Sequence, residues 1–484
     1  MGIRFIKSNH LFLLFGLLTK GITGQNSLYF HPGIPQSGLL NPVFTSSCNY
    51  VGIPGLSSFY VSYDNTAFSY NQLFPRTGDG SRVPNPGFLE KRMHALDLVE
   101  TRFSTNLLSI GLWHKDSYFH FHIAEKVDLL TTIPQTAVDL AWEGNTQYVG
   151  QGVEVNRLGL RAFHFREYAL SATKWIDPTW KIGLRPKLLF GKLNLQSRNE
   201  ELYVFTEDEN FDLDIDASYE INGSIPVTLD TNAAGNVTSI NAPGPDVAAL
   251  LFNRKNPGLS LDFGARYRYT EQIDFFASIL DLGFIRWRNN LNNVSVDQGF
   301  RFTGLSEEDL GSENYLDALI DSISSSWEMN TSSEPYTTWL PLKFYAGARY
   351  KLNQRFSAGM LSRTLLFRER LYPSFTLSAH AQFLDAFSFT LSYSYRNYSF
   401  NNLGVGFSIQ NKSAQFYAVT DNLLALSPLN TRTINVRFGL NIFFNCRNPQ
   451  RERKNDIPAV SSNKGCSWIQ REKEQQKNKP HPKK

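Results

Sequence analysis

The sequence predicts an all-β fold, an antiparallel transmembrane β-barrel of about 14 strands, roughly 12–16. Three observations predict it. The first is Thr433–Phe444, TINVRFGLNIFF, in which Ile434, Val436, Phe438, Leu440, Ile442 and Phe444 alternate with a mostly polar set. A period of two makes a strand with one apolar and one polar face. The second is composition. Mean hydropathy is −0.30 although 14% of residues are aromatic, with 37 Phe and 21 Tyr. A membrane barrel scores as soluble in this way, because only alternate strand residues meet lipid. The third is that connections alternate between short turns and long polar segments, as they do when one end of a barrel carries turns and the other loops.

In chain order, residues 1–24 read as a secretory leader. Arg4 and Lys7 give a basic start, Leu11–Leu18 an apolar core, and Ile22-Thr23-Gly24 a small-residue cleavage site before Gln25. The core is too short to span a bilayer as a helix. Residues 25–55 form an N-terminal segment that could plug a lumen, and residues 56–445 the barrel. Leu56–Asp64 is the first strand expected. Thr101–Val127 reads as a hairpin turning at Lys115-Asp116, and Ile133–Trp142 as a short helix. Leu158–Phe163 and Tyr168–Trp175 follow as strands. Trp180–Leu193 is a strand interrupted by Pro186, where a bulge is expected, since a closed barrel offers proline no edge. Leu259–Tyr269 and Ile273–Leu280 alternate cleanly. So do Leu342–Lys351, Phe356–Leu365, Phe375–Phe383, Phe387–Arg396, Leu403–Gln410 and Gln415–Thr420. Long or polar connections are expected at 197–256, 288–339 and 368–373. The tail, 446–484, carries eleven Lys/Arg against four acids and reads as a basic, disordered periplasmic extension. Of Cys48, Cys446 and Cys466, the last two could pair in an oxidising periplasm, leaving Cys48 over.

Three motifs carry a resemblance. Arg437-x-Gly439-x-x-Ile442-x-Phe444 is similar to the C-terminal signal of bacterial outer-membrane barrels, which the barrel-assembly machinery reads on the closing strand. Ile34-Pro35-Gln36-Ser37, Asn41-Pro42-Val43-Phe44, Cys48 and Gly52-Ile53-Pro54-Gly55-Leu56-Ser57 resemble the opening of an uncharacterised family of Bacteroidota outer-membrane barrels. Val43 stands where that family has Ala. Asp281-Leu282-Gly283-Phe284-Ile285-Arg286-Trp287 resembles its D-L-G-F-I-x-W hallmark. The resemblance implies a cell outer-membrane location, membrane lipid and the assembly machinery as partners, and Asp281, Arg286 and Trp287 as a motif site in the lumen. The expected arrangement is a lumen salt bridge with a Trp at the membrane interface.

No G-x-S-x-G, H-E-x-x-H or Walker loop is present, so no enzyme, cofactor or catalytic set is assigned. Asp212-x-Asp214-x-Asp216 hints at calcium, but Ala217 and Gly223 break the EF-hand pattern and a solvated rim is favoured. His120 and His122 share a strand face near His114, without a third metal ligand at defined spacing. Asp262, Arg266, Arg268, Lys343, Arg349, Arg396 and Arg437 fall on polar faces and are expected to line the lumen. Nothing beyond the basic tail suggests nucleic acid. The leading expectation is a transport channel for a small solute, which could be hydrophobic. The alternative is a non-transporting interaction barrel, a secretion-system accessory or surface-protein anchor. A barrel enzyme is the third reading.

Overall fold

A computed structural model describes residues 26–83, 85, 93–231, 237–241, 247–303, 329–384 and 386–447. The leader and all but the first two residues of the tail therefore lie outside the described residues.

Fourteen strands close into one wall. They are β1 (Asn49–Gly52 and Phe59–Asn65), β2 (Leu96–His114), β3 (Ser117–Pro134), β4 (Gly159–Trp175), β5 (Trp180–Thr206), β6 (Asn256–Arg268) and β7 (Ile273–Trp287). They continue with β8 (Tyr336–Trp339 and Leu342–Lys351), β9 (Phe356–Phe367), β10 (Arg370–Leu384), β11 (Phe387–Arg396), β12 (Ser399–Gln410), β13 (Ala414–Thr420) and β14 (Thr433–Phe444). Each pairs antiparallel with the next, and β14 returns to β1 through Asn49↔Phe444 and Phe59↔Phe438. Closure leaves no edge. Beyond the wall, the upper part of β5 pairs with Leu213–Ser224, which pairs with Leu291–Phe302, making a sheet that projects from the loop end.

The burial pattern shows which solvent each face meets. Along β5 and β6, Arg185, Lys187, Ser260 and Asp262 are buried, while Leu184, Leu188, Leu259 and Phe263 are exposed. Charge inside and hydrocarbon outside is the reverse of a water-soluble sheet, and it suits a wall standing in lipid around a polar lumen.

Several local expectations change. The wall begins at Asn49, not Leu56, and its first strand is split at Ile53–Ser58. There Leu56 N donates to Ile53 O at 3.0 Å across Pro54 and Gly55, whose φ is +72°. Proline presets the first turn position and glycine takes the left-handed one. Six residues thus stand opposite Gly439 and Leu440. Residues 159–175 form one strand, and β5 runs on to Thr206. Pro186 causes no bulge. The ladder to β4 lapses between Ala169↔Lys187 and Ala172↔Leu184 without changing register, so no partner needs the N–H that proline lacks. Bulges fall elsewhere, among them one beside Lys192 and one between Leu261 and Phe263 opposite Asp281. Residues 368–373 are no long connection. Arg368 and Glu369, both at positive φ, make a two-residue turn and the strand resumes at Arg370. A left-handed pair without glycine leaves little sequence signature.

Residues 26–48 lie inside the wall. Leu28, Tyr29, Phe30, Ile34, Leu40 and Val43 pack with Phe276, Leu280, Tyr345, Leu361, Tyr417 and Val419. Tyr29 stacks on Tyr345 at 5.6 Å. Inward glycines make the room. A Cβ at Gly264 would run into Asn41 and Pro42, and one at Gly359 into the Phe30 ring. At the turn end Cys48 bonds to Cys446, not Cys466 to Cys446. The pairing follows from closure, since β1 and β14 are neighbours and set their flanking residues side by side.

Candidate functional site

The N-terminal segment is held by strand side chains that alternate into the lumen. Arg185 donates to Gly38 O at 2.6 Å and Leu39 O at 2.8 Å. His31 meets Thr390 and Ser388 at 2.7 and 2.8 Å. Gln36 exchanges two amide bonds with Asn441. Thr173 Oγ1 donates to Pro42 O at 2.5 Å, and Lys181 reaches Thr45.

Above this segment sits a chamber of about 80 Å³, enough for a handful of waters. Leu39 and Leu40 form its floor, and its lining includes Arg102, Lys126, Glu167, Lys187, Asp281 and Lys343. The charges are chained. Lys187 Nζ is 2.7 Å from both Asp262 Oδ1 and Asp281 Oδ1. Lys343 Nζ is 2.6 Å from Asp281 Oδ2. Asp262 accepts from the Asp281 backbone N–H at 2.7 Å and from Arg185 Nε at 2.7 Å. Glu167 binds Lys126 and His122 at 2.7 and 2.9 Å. Through Arg185 the chain of charges reaches the backbone of the N-terminal segment. Buried charges stay affordable only when partnered in this way. Tyr60, Asn106, Tyr345 and Arg437 also line the chamber, and among the described residues Tyr60 Oη, Asn106 Nδ2, Tyr345 Oη and Arg437 Nε find no hydrogen-bond partner. The chamber therefore has unsatisfied capacity for water or a polar solute.

Asp281 is what the bulge in β7 is built around. Its φ is +64°, and the extra residue turns its carboxylate inward beside Leu280. Trp287 is also inside. It is fully buried, donates from Nε1 to Thr338 Oγ1 at 2.9 Å and stacks on Tyr336. This corrects its expected place at the membrane interface. Gly191 opposite leaves room for the ring. Arg286 faces the other way and meets Thr337 at 3.0 Å, so the three motif residues do not converge.

On β14, Arg437 and Gly439 point inward while Ile442 and Phe444 point out. Arg437 donates to Ser58 Oγ at 2.6 Å and lies 4.4 Å over the Tyr60 ring. Gly439 accommodates the split in β1, since a Cβ would collide with Ser57 O and the Tyr417 ring.

The other polar-face residues separate into local sets. Arg266, Arg349 and Lys351 surround Asp274, and Arg396 bridges Asp64 and Asp421. Arg268 stacks on Trp175. His120 bonds Tyr50 and Ser109, His122 bonds Glu167, and His114 is exposed at a turn. Asp214 pairs with Arg301 in the outer sheet, whose guanidinium holds that carboxyl below its ordinary range. Among the described residues no group of three or more His, Cys, Asp or Glu is placed to hold a metal.

Arg185, Lys187 and Glu167 were not singled out in the sequence. The signal for the first two is the inward alternation Lys181, Gly183, Arg185, Lys187, which Pro186 disguises.

A sequence profile for a family of unknown function, DUF5723, matches residues 42–421. No curated protein matches the chain. Among solved structures, the Ralstonia pickettii toluene transporter TbuX is similar at 9% identity and TM-score 0.41, covering 85% of this chain and 94% of its own. A Pseudomonas aeruginosa FadL homologue is similar at 12% identity and TM-score 0.36, covering 88% and 100%. The Pseudomonas putida toluene transporter TodX is similar at 7% and 0.32, covering 88% and 95%.

Proposed function

Since this chain belongs to DUF5723, a family of unknown function, its activity has to be read from its own geometry, and we propose that it is an outer-membrane channel for a small solute, shut in this state by residues 26–48. The observation that carries this reading is the occupant of the lumen. A barrel needed only as an anchor can be narrow enough for wall side chains to fill it. A fourteen-strand wall is wider, and here the space is taken by a separate segment with a chamber above it. That segment is held by hydrogen bonds and packing, with one covalent tie at its periplasmic end, so it can leave while the wall stays closed. The chamber lining is charged, which favours a solute with a polar or ionised end over a pure hydrocarbon.

The test is single-channel conductance of refolded protein in planar bilayers, full-length against a variant lacking residues 26–45. The deletion stops short of Cys48 because β1 belongs to the wall. The full chain is expected to be silent or to open briefly, and the deletion to conduct steadily. Silence from both, with heat-modifiable gel migration proving closure, would hand the protein to the interaction-barrel reading. Against that reading, the described outer sheet is acidic rather than apolar, with Asp214, Asp216, Glu220 and Asp297 on its strands.

A further inference from the structure

Of the cationic side chains that line the chamber, Arg102, Lys126, Arg185, Lys187 and Lys343 each have a carboxylate within 4 Å. Arg437 lines it too, and among the described residues no carboxylate lies within that distance of it. It donates to Ser58 Oγ at 2.6 Å and lies over the Tyr60 ring, both uncharged. A guanidinium only 5% exposed and held by neutral groups is costly until a counter-ion joins it.

The unpaired atoms around it share one chemistry. Arg437 Nε, Tyr60 Oη, Asn106 Nδ2 and Tyr345 Oη can each donate a hydrogen bond, and among the described residues none has a partner. All four side chains are buried. Closure of the wall gathers them. Tyr60 stands opposite Arg437 across the β1–β14 seam. Asn106 on β2 donates its backbone N–H to Ser58 O, and Ser58 is the residue that Arg437 grips. Tyr345 comes from β8 on the far side of the wall and lines the same chamber.

Asp128 also lines the chamber, and among the described residues no cation lies within 4 Å of it. It stands apart from these donors. It is on β3, three strands along the wall from β14. It pairs opposite Arg102, one inward row nearer the loop end than the row of Arg437, Tyr60 and Ser104.

We propose that this donor patch is a binding site for a small anion, whose carboxylate or oxyanion group sits against Arg437 Nε and the hydroxyls of Tyr60 and Tyr345. Water brings two protons of its own into a patch of donors. An anion of this class brings only acceptors, and it supplies the charge that Arg437 lacks. The chamber, about 80 Å³, takes an ionised head of a few heavy atoms. As the solute class of the channel the proposal rests on the transport reading; as a binding site it does not.

The experiment is equilibrium urea unfolding of refolded full-length barrel in micelles at neutral pH. Sodium acetate or sodium phosphate replaces a bulky morpholine sulfonate at fixed ionic strength, and acetamide is the uncharged isostere of acetate. A ligand that binds only the folded state raises the folded-to-unfolded ratio in proportion to its concentration once the site fills. The expected result is a rise of at least about tenfold at ~100 mM of the anion and none with acetamide. A response to acetate alone marks a carboxylate solute, and one to phosphate alone marks an inorganic oxyanion. Arg437→Met should abolish the response and Arg437→Lys should keep part of it. Should the Met variant fail to close, Tyr60→Phe with Tyr345→Phe keeps both rings, removes two donors and should lose most of the response. No response to either anion, or an equal response from wild type and a folded variant lacking these donors, would overturn the proposal. A chain lacking residues 26–45 that conducts, beside a full-length barrel deaf to both anions, sinks the anion site and spares the channel. A silent deletion beside an intact anion response does the reverse.

Discussion

Asp281 offers the sharpest test of the charge chain, because charge and backbone strain can be separated at one position. Its carboxylate contacts Lys187 and Lys343, and its φ is +64°. Lys187 keeps Asp262 when Asp281 is removed. Lys343 has no other carboxylate within 4 Å among the described residues. Breaking a buried pair from one side costs about 3 kcal/mol, mostly for the stranded partner. That is roughly two powers of ten in the folded fraction. Asp281→Gly removes the carboxylate and suits the backbone. Asp281→Asn also tolerates left-handed geometry. Asp281→Ala adds about 1 kcal/mol, because it keeps the Cβ that crowds the following carbonyl but lacks the short polar side chain that eases the left-handed conformation in Asp and Asn. The expected order of loss is Gly and Asn together, then Ala. Lys343→Met in the Asp281→Gly background should recover part of it, since the unpaired ammonium goes. The assay is equilibrium urea unfolding of refolded barrel in micelles, followed by tryptophan fluorescence. A Gly variant within about 1 kcal/mol of wild type, or no recovery with Lys343→Met, would refute the argument.

Two further outcomes follow from the seam between β1 and β14. Gly439→Ala should cost about 1–3 kcal/mol by overpacking against Ser57 and Tyr417 and should slow refolding in detergent. Ile442→Ala and Phe444→Ala, on the outward face, should leave refolding intact and lower yield only in cells; equal behaviour of all three in both assays would remove the distinction between packing and assembly signal. Non-reducing peptide mapping should recover Cys48 joined to Cys446, and reduction should lower stability by about 3 kcal/mol; a Cys446–Cys466 peptide would contradict the structure.

The class of fold was legible because its cause is local. Alternation in Leu259–Tyr269 and Thr433–Phe444 needs nothing but the pleat, and the lipid outside and polar lumen inside impose it on every strand. The short turns at one end were legible for the same reason. The motif residue Asp281 was found by resemblance, and its inward aim shares the parity of Trp287 and excludes Arg286, which alternation alone could have told.

What the tertiary structure decided is whatever depends on closure. The partner of Cys446 is set by β14 meeting β1, 398 residues apart in sequence. Trp287 is in the lumen because Gly191 and Thr338, on two other strands, make its pocket. Pro186 needs no bulge because the ladder lapses beside it. Arg185, Lys187 and Glu167 converge with Asp262 only when β4, β5 and β6 stand side by side. The sequence offered residues 25–55 as a segment that could plug the lumen, but the course of residues 26–48 and their contacts were beyond it, since an irregular segment rich in Pro and Gly has no periodicity. It takes its shape from the inward glycines and charges of a wall that must close around it.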